Sequence, residues 1–251
     1  MTGILEGRNP VLEALRSGRP IGKIFLAKNI ERHSIIAEII HLAQTRGIPV
    51  EYVERLAIDR QSETRVNQGI LAYTISKEYL ELDQLIAISQ DKNEPPLFII
   101  LDGIEDPHNL GAILRTAEAS GIHGVIVREK RAVGLTPTVE KASAGAIEYI
   151  PISRVTNISQ TIEFLKKNNI WVVGIDQTAK TDYTRIDYKT PTAIVIGGEG
   201  KGLSDLVKKH CDFLASIPMK GKITSLNASV AAGIVMYEAL KQRTDKNHSE
   251  P

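Results

Sequence analysis

The sequence predicts an α/β protein whose main domain is built on a parallel sheet. Short apolar runs alternate with helical patterns along most of the 251 residues, which is typical of strands joined by crossover helices. Residues 97–101 are apolar throughout, as expected of a strand covered on both faces. A second apolar run, residues 193–196, leads directly into a glycine-rich segment, residues 197–202. Because α/β proteins bind nucleotides and related cofactors where a strand ends in glycines, we expect the functional site there.

Composition limits the classes of protein to consider. The formal net charge is +1, so a nucleic-acid-binding surface would have to be local. Cys211 is the single cysteine, which excludes an intrachain disulfide framework, and the six histidines show no metal-ligand spacing. No signal-peptide pattern is present, and no apolar run approaches the roughly 20 residues that span a bilayer. We therefore expect a soluble cytoplasmic protein, with no membrane and no metal.

Residues 1–75 predict a small α/β domain. Asn9 as N-cap and Pro10 at the first helical position predict a short helix. Helical spacing over residues 35–43 predicts a second helix that Gly47 ends. The predicted strands are residues 24–26, 49–53 and 69–73.

Residues 97–243 predict the larger domain, separated from the first by a linker. The linker, residues 76–96, ends in a polar stretch and two prolines. The pair Asp106-Pro107 predicts the cap and start of a helix, and a last helix is expected from about residue 227 to residue 243. Residues 244–251 are polar and predict a disordered tail. The further predicted strands are residues 125–127, 171–175, 193–196 and 214–217.

The glycine-rich segment does not match the common nucleotide fingerprints. Its G-x-G-x-G pattern lies late in the chain, whereas a dinucleotide loop needs G-x-G-x-x-G after the first strand. A phosphate-binding P-loop needs Ser or Thr after the lysine, and Lys201 is followed by Gly202. A tight turn with positive φ would explain the glycines equally well. Glu199 between the glycines favours a ligand site, because its carboxylate has no neighbouring side-chain bulk.

Four polar residues near predicted helix starts have both a structural and a functional interpretation. Asn109 and Arg115 lie on one predicted helix, about 120° apart around its axis. Asn109 could make only a local backbone hydrogen bond, and Arg115 could be an ordinary exposed charge. Ser225 and Asn227 precede the last helix, where N-capping is the alternative role. His108 is a candidate base, but no nucleophile pattern surrounds it.

Three segments together resemble the three motifs of the SpoU (TrmH) family of RNA 2′-O-ribose methyltransferases. They are residues 106–117, 196–203 and 217–231, in the order and spacing of the family, and the resemblance covers residues 97–243. The N-terminal domain resembles the substrate-binding domain of the bacterial ribosomal-RNA branch, which includes enzymes that methylate a guanosine of 23S rRNA. Asn67 stands where many relatives have histidine, so we assign that position no specific role.

The resemblance implies a SPOUT-type fold, in which a trefoil-knotted parallel-sheet domain is preceded by a small α/β RNA-binding domain. It also implies S-adenosyl-L-methionine as the methyl donor, and a homodimer whose site is completed across the interface. The positions matching backbone contacts to the cofactor are Gly197, Ile217 and Leu226. Those in the same loops are Gly198, Gly200, Met219 and Ser225. The positions matching residues associated with catalysis and RNA placement are Asn109, Arg115, Glu199, Ser225 and Asn227.

The resemblance also assigns Arg115 to the ribose 2′-hydroxyl. Because an arginine ordinarily stays protonated, we hypothesise that Arg115 stabilises developing alkoxide charge. A neighbouring phosphate or Glu199 would then assist removal of the proton. Since DNA lacks the 2′-hydroxyl, the expected substrate is RNA.

Charged residues of the first domain are candidates for phosphate contacts. They are Arg8, Lys23, Lys28, Arg32, Arg46 and Arg65. The leading prediction is a 23S rRNA ribose methyltransferase. The alternatives are a tRNA ribose 2′-O-methyltransferase and a non-catalytic RNA-binding protein of ribosome assembly. A nucleotide-dependent oxidoreductase is disfavoured by the missing dinucleotide fingerprint.

Overall fold

The computed structural model describes residues 2–31, 33–64, 66–200 and 202–245, which form two compact units. The first unit comprises Met1–Glu78 and Gly134–Tyr149, and the second comprises Tyr79–Val133 and Ile150–Pro251. The predicted phosphate contacts Arg32 and Arg65, and residues 246–251 of the predicted tail, lie outside the described residues.

The first unit is built on a four-stranded mixed sheet. Its elements in chain order are β1 (Thr2–Glu6), α1 (Arg8–Ser17), β2 (Ile21–Ala27), α2 (Ser34–Thr45), β3 (Val50–Val53), α3 (Arg55–Gln61) and β4 (Ile70–Ile75). The strand order is β1-β4-β2-β3, with β4 antiparallel to β1 and β2 and with β3 parallel to β2. Helices α1 and α2 contribute Leu15 and Ile39 to a core that includes Ile24 and Ile70 of the sheet. This buried apolar contact fixes one face of the sheet.

Helix α1 begins two residues earlier than predicted, at Arg8 rather than Pro10. Its N-cap is Gly7, with φ 100°, and Asn9 lies inside the first turn, so the prediction of Asn9 as N-cap was wrong. The side-chain oxygen of Gln68 accepts the backbone N–H of Arg8 at 2.9 Å. A helix start leaves such N–H groups unpaired, and here the partner comes from 60 residues along the chain rather than from a local cap.

The second unit contains a seven-stranded sheet whose pairs are all parallel. Its elements are α4 (Leu82–Asp91), β5 (Leu97–Asp102), α5 (Pro107–Ala119), β6 (Gly124–Arg128), β7 (Ile152–Val155), α7 (Ile158–Lys167), β8 (Trp171–Ile175), β9 (Thr181–Asp182), β10 (Thr192–Gly197), α8 (Asp205–His210), β11 (Phe213–Ser216) and α9 (Ala228–Thr244). Between β6 and β7, α6 (Pro137–Ala142) belongs to the first unit. The strand order is β7-β6-β5-β10-β8-β11-β9.

The predicted parallel α/β sheet is therefore confirmed. All six residues of β5 are buried, as the apolar run at 97–101 predicts. Strand β10 lies between β5 and β8, although both precede it in the chain. The trefoil knot itself stays a prediction. Strands β1, β7 and β9 were not predicted, because each is short and none forms a long apolar run.

Residues 134–149 join the first unit, which the predicted boundaries did not anticipate. Arg19 reaches Glu140 at 3.0 Å and Glu148 at 2.6 Å, and all three side chains are at least nine-tenths buried. Arg19 also donates to the carbonyl oxygen of Ile75. Burial raises the pKa of Glu140 to about 7, against the opposing effect of Arg19. This ionic cluster anchors a segment of the second domain's sequence within the first unit.

No helix in the described part of the chain is long and apolar enough to cross a bilayer.

Candidate active site

A cavity of about 450 Å³ opens at the carboxyl ends of β8, β10 and β11. Its volume is within the range of about 300–1,000 Å³ that is usual for ligand pockets. In open parallel sheets, ligands bind at this edge, where the strand order reverses direction. The lining residues that the sequence analysis named are Gly197, Gly198, Glu199, Gly200, Ile217, Met219, Ser225, Leu226 and Asn227.

Two of the glycines are required by close approach of the backbone. A Cβ atom on Gly197 would lie 2.2 Å from the carbonyl carbon of Gly202, and one on Gly198 would lie 2.2 Å from the carbonyl oxygen of Gly103. Gly200 and Gly202 have positive φ angles of 77° and 60°. Positive φ therefore accounts for Gly200 and Gly202, and close approach of the protein's own backbone accounts for Gly197 and Gly198. The segment turns back on itself, and the N–H of Gly202 donates to the carbonyl of Gly198.

Glu199 is the centre of a three-residue polar cluster. Its Oε1 accepts hydrogen bonds from the side-chain amides of Asn109 at 2.6 Å and Asn227 at 2.7 Å. The amide of Asn227 also donates to Oδ1 of Asn109 at 3.0 Å. In the sequence, Asn109 is 90 positions from Glu199 and 118 positions from Asn227. The fold thus brings the three side chains together at the cavity wall. The local backbone role considered for Asn109 is not what its side chain does.

Asn227 caps helix α9 and also joins the polar cluster. Its Oδ1 accepts from the backbone N–H groups of Ser229 and Val230, so it caps helix α9. Its Nδ2 donates to Glu199 and Asn109. Because the cap uses the amide oxygen of Asn227, the amide nitrogen is the end that faces the carboxylate of Glu199.

Arg115 and Ser225 do not join this cluster. Arg115 is exposed on α5 and is not among the described residues that line the cavity. Ser225 lines the cavity and is exposed, but it lies outside the hydrogen-bonded cluster. His108 is exposed at the start of α5. Burial raises the pKa of Cys211 to about 12, so its thiol is a packed group rather than a nucleophile.

Five polar residues of the cavity wall were not predicted from the sequence: Asp176, Gln177, Thr178, Lys208 and Thr224. Asp176 and Thr178 follow β8, and Lys208 lies on α8. Burial by itself would raise the pKa of Asp176, but hydrogen bonds from Lys208 and Thr178 more than offset it and hold that pKa below its usual value. The position of Asp176 directly after a predicted strand could have indicated a site residue. No feature of the sequence indicated Lys208.

The basic candidates of the first unit differ in their surroundings. Lys23 pairs with Glu51 and Lys28 pairs with Glu54, each at 2.8 Å. Such carboxylates compete with phosphate for the lysines. Arg46 is exposed at the end of α2, and Arg8 has a buried Nε with no hydrogen-bond partner among the described residues. Of these four residues, Arg46 is exposed at a helix end, whereas Lys23 and Lys28 are paired with carboxylates.

Comparison with known proteins identifies the family. The model of the SpoU rRNA methylase family matches residues 96–237, and a model described as RNA 2′-O ribose methyltransferase substrate binding matches residues 4–80. The chain belongs to the SpoU rRNA methylase family.

Individual relatives agree with this assignment. The chain is 51% identical, over 94% of each sequence, to the TrmH family tRNA/rRNA methyltransferase YacO of Bacillus subtilis. It resembles the SpoU methyltransferase AviRb of Streptomyces viridochromogenes, solved with AdoMet, with a TM-score of 0.81 and 26% identity over 96% of this chain and 90% of that one. It also resembles an AdoMet-bound rRNA methyltransferase of Sinorhizobium meliloti, with a TM-score of 0.76 and 27% identity over 96% and 87% of the two chains.

These matches confirm the predicted fold class, the RNA 2′-O-ribose methyltransferase class and, at the level of the family, S-adenosylmethionine as cofactor. The cavity fits such a group on its own evidence. Ile175, Ile196 and Leu226 offer apolar surface to a nucleobase, and Gly200 has open space where a side chain would stand, so a ligand can approach the backbone there. No cluster of three or more metal-ligating side chains occurs among the described residues.

Proposed function

We propose that this protein transfers a methyl group from S-adenosylmethionine to the ribose 2′-hydroxyl of a guanosine in 23S rRNA. The observation that carries the proposal is the Glu199 carboxylate, held by Asn109 and Asn227 in the wall of the cavity. An RNA-binding scaffold without chemistry has no use for this arrangement, in which a charged group is oriented by two amides and faces a ligand-sized space. The bacterial relatives and the RNA substrate support the cytoplasm as its location.

The expected binding site for the cofactor is formed by the loops after β10 and β11 and the start of α9. Gly197, Ile217 and Leu226 would hold it through their backbones, with Gly198, Gly200 and Met219 beside them. When bound, the cofactor supplies an electrophilic methyl group on a sulfonium. The protein then has to orient the ribose, exclude water and remove one proton.

Glu199 and Arg115 divide the remaining chemistry. In the transfer, the 2′-oxygen would bond to the methyl carbon as the carbon–sulfur bond breaks, and the protein would have to accept the hydroxyl proton. Both amide hydrogen bonds go to Oε1 of Glu199, so its Oε2 is the oxygen available to take the hydroxyl proton. The guanidinium of Arg115 stabilises the negative charge that develops on the ribose oxygen. Ser225 and Asn227 would position the ribose at the cavity mouth.

A homodimer is part of the proposal. Val230 and Tyr237 are about half exposed on one face of α9, with Ile234 between them, and α9 packs beside α5. Exposed apolar residues in a row are typical of a subunit interface. Because Arg115 is exposed on α5 and stands outside its own cavity lining, we propose that it completes the site of the partner protomer.

The choice of ribosomal over transfer RNA is supported by the N-terminal unit. The substrate-binding model matches residues 4–80, and the rRNA methyltransferase of S. meliloti aligns with 96% of this chain. The YacO relative is named for both RNA classes, so tRNA stays the second candidate.

The test is transfer of labelled methyl from S-adenosylmethionine to 23S rRNA and to bulk tRNA, by the wild type and by Arg115→Ala. The modified position is mapped by resistance to alkaline cleavage, which requires a free 2′-hydroxyl. Label at an alkali-resistant bond in 23S rRNA, lost in the variant, supports the proposal. Label in tRNA overturns the substrate but keeps the chemistry, and absence of cofactor binding overturns the methyltransferase assignment.

Mixed dimers test the shared site. Arg115→Ala and Glu199→Gln subunits, each inactive alone, are combined into heterodimers with separate affinity tags. If Arg115 acts across the interface, each heterodimer keeps one complete site and about half of the wild-type activity. If Arg115 acts within its own chain, the heterodimers stay inactive.

A further inference from the structure

An ion pair forms part of the cavity wall. Nζ of Lys208 lies 2.7 Å from Oδ2 of Asp176, and both residues line the cavity. The Asp176 side chain is 5% exposed and that of Lys208 is 26% exposed. Both side chains therefore contribute to the cavity wall, and Lys208 is the more exposed of the two.

The carboxylate of Asp176 is held in one orientation. Its Oδ1 accepts from the backbone N–H and the hydroxyl of Thr178, and its Oδ2 takes Lys208. An ionised carboxylate has about four acceptor positions, so three are filled and one remains. The ammonium of Lys208 has three N–H donors, of which the pair with Asp176 uses one. The pair thus offers a ligand both an acceptor and donors at fixed positions.

The ion pair has no net charge, and this indicates which kind of ligand group it would bind. Its two charges cancel, so it offers little attraction to an isolated anion or cation, whereas a hydroxyl both donates and accepts. Asp176 stands at the carboxyl end of β8, next to β10, which carries the glycines. An acidic residue near the end of a neighbouring parallel strand is where dinucleotide-binding α/β proteins hydrogen-bond a ribose hydroxyl.

We infer that Asp176 and Lys208 recognise the 2′,3′-diol of the cofactor's adenosine, with Lys208 donating and Asp176 accepting. The inference rests on the proposed cofactor site, and it adds two binding residues to it. It also orients the cofactor, because the ribose end then lies toward α8 and the sulfonium toward Glu199.

Calorimetric titration of the full chain tests this assignment. The ligands are S-adenosylhomocysteine, 5′-methylthioadenosine, which lacks the amino-acid arm, and the 2′-deoxy and 3′-deoxy forms of 5′-methylthioadenosine. The proteins are the wild type, Lys208→Met, Asp176→Asn and the matched control Lys209→Met, which removes an exposed lysine from the same helix. Thermal unfolding of each variant shows that it is folded at the titration temperature.

The expected result is a loss of affinity of about 10-fold or more in Lys208→Met, equal for S-adenosylhomocysteine and 5′-methylthioadenosine. Removing a ribose hydroxyl should weaken binding to the wild type and to Lys209→Met, but should have little further effect in Lys208→Met. Asp176→Asn, which keeps the shape of the side chain, should show a smaller loss with the same pattern.

Two results would overturn the inference. One is a loss confined to S-adenosylhomocysteine, which would assign the pair to the amino-acid arm. The other is wild-type affinity in Lys208→Met. Failure of the wild type itself to bind S-adenosylhomocysteine would instead overturn the cofactor site, so the two failures are distinguishable.

Discussion

The carboxylates of the two units are held by different kinds of donor. In the first unit, Glu140 and Glu148 meet the guanidinium of Arg19 and are almost fully buried. In the second unit, Glu199 meets two neutral amides, from Asn109 and Asn227, in the wall of an open cavity. Both arrangements orient a carboxylate, but only the first provides an opposite charge.

We propose that this difference separates a structural carboxylate from a functional one. The Arg19 cluster is nearly closed, because the guanidinium uses four of its five N–H donors, two of them on the carbonyl of Ile75, and its side chain is almost fully buried. No side chain of the Glu199 cluster carries a positive charge. Both amide hydrogen bonds to the carboxylate go to the same oxygen, Oε1. The completeness of the partner set, rather than burial alone, therefore distinguishes the two.

The largest expected effect comes from opening the closed cluster. Arg19→Met leaves two buried carboxylates without their counter-charge and should lower the free energy of unfolding by about 3–5 kcal/mol. The measurement is urea unfolding at pH 7.5. Arg16→Met is the matched control, because Arg16 lies close by in the sequence but makes only exposed pairs with Glu13 and Glu38. Equal effects of the two substitutions would contradict a structural role for the buried cluster.

A second prediction concerns the pH dependence of the same cluster. Burial raises the pKa of Glu140 from 4.5 to about 7, so the folded protein holds this proton more tightly than the unfolded chain. The stabilisation is present below about pH 4.5 and is lost as pH rises through 7, with an upper bound of about 3 kcal/mol.

Urea unfolding of the wild type and Glu140→Gln between pH 5 and pH 8 measures this term. Glutamine stays neutral, so the variant should gain stability relative to the wild type as pH rises. A difference between the two proteins that does not change with pH would contradict the raised pKa of Glu140.

The sequence anticipated the second unit better than the first. The buried run of β5 and the cap of α5 follow from local pattern, and motif resemblance found Asn109, Glu199 and Asn227. By contrast, the sequence predicts ordinary surface positions for Glu140 and Glu148, because glutamates are rarely buried unless they are paired. Their partner Arg19 is more than 120 residues away, and no periodicity reports such a contact.

The residues of the cavity also show that local sequence pattern does not predict long-range contacts. Pattern predicted that the glycines after β10 would form a site, but it could not separate the glycines needed for close approach from those needed for positive φ. The pairing of Asp176 with Lys208 depends on where α8 returns to the sheet, which spacing does not determine. Local signals therefore indicated the candidate site, and long-range packing supplies the rest of its wall.

The smallest expected effect separates the two roles of Asn227. Asn227→Ser keeps a side-chain oxygen for the cap of α9 but removes the amide donor to Glu199. Stability should change by less than about 0.5 kcal/mol, while the methyl-transfer rate falls about 10-fold, the value of one hydrogen bond to a charged group. Asn227→Ala should lose the same rate and also about 1 kcal/mol of stability. A serine variant with the full rate would remove Asn227 from the functional cluster.

The most direct test of this comparison is the single-turnover methyl-transfer rate of Glu199→Gln, measured with its urea midpoint. Glutamine keeps the shape of the side chain and an oxygen for both asparagine amides, but it cannot accept the ribose proton. We expect the rate to fall about 10²- to 10³-fold with the urea midpoint unchanged, as for a group that acts on the substrate. An unchanged rate, or a fall in the midpoint like that expected of Arg19→Met, would show that Glu199 is a structural carboxylate after all.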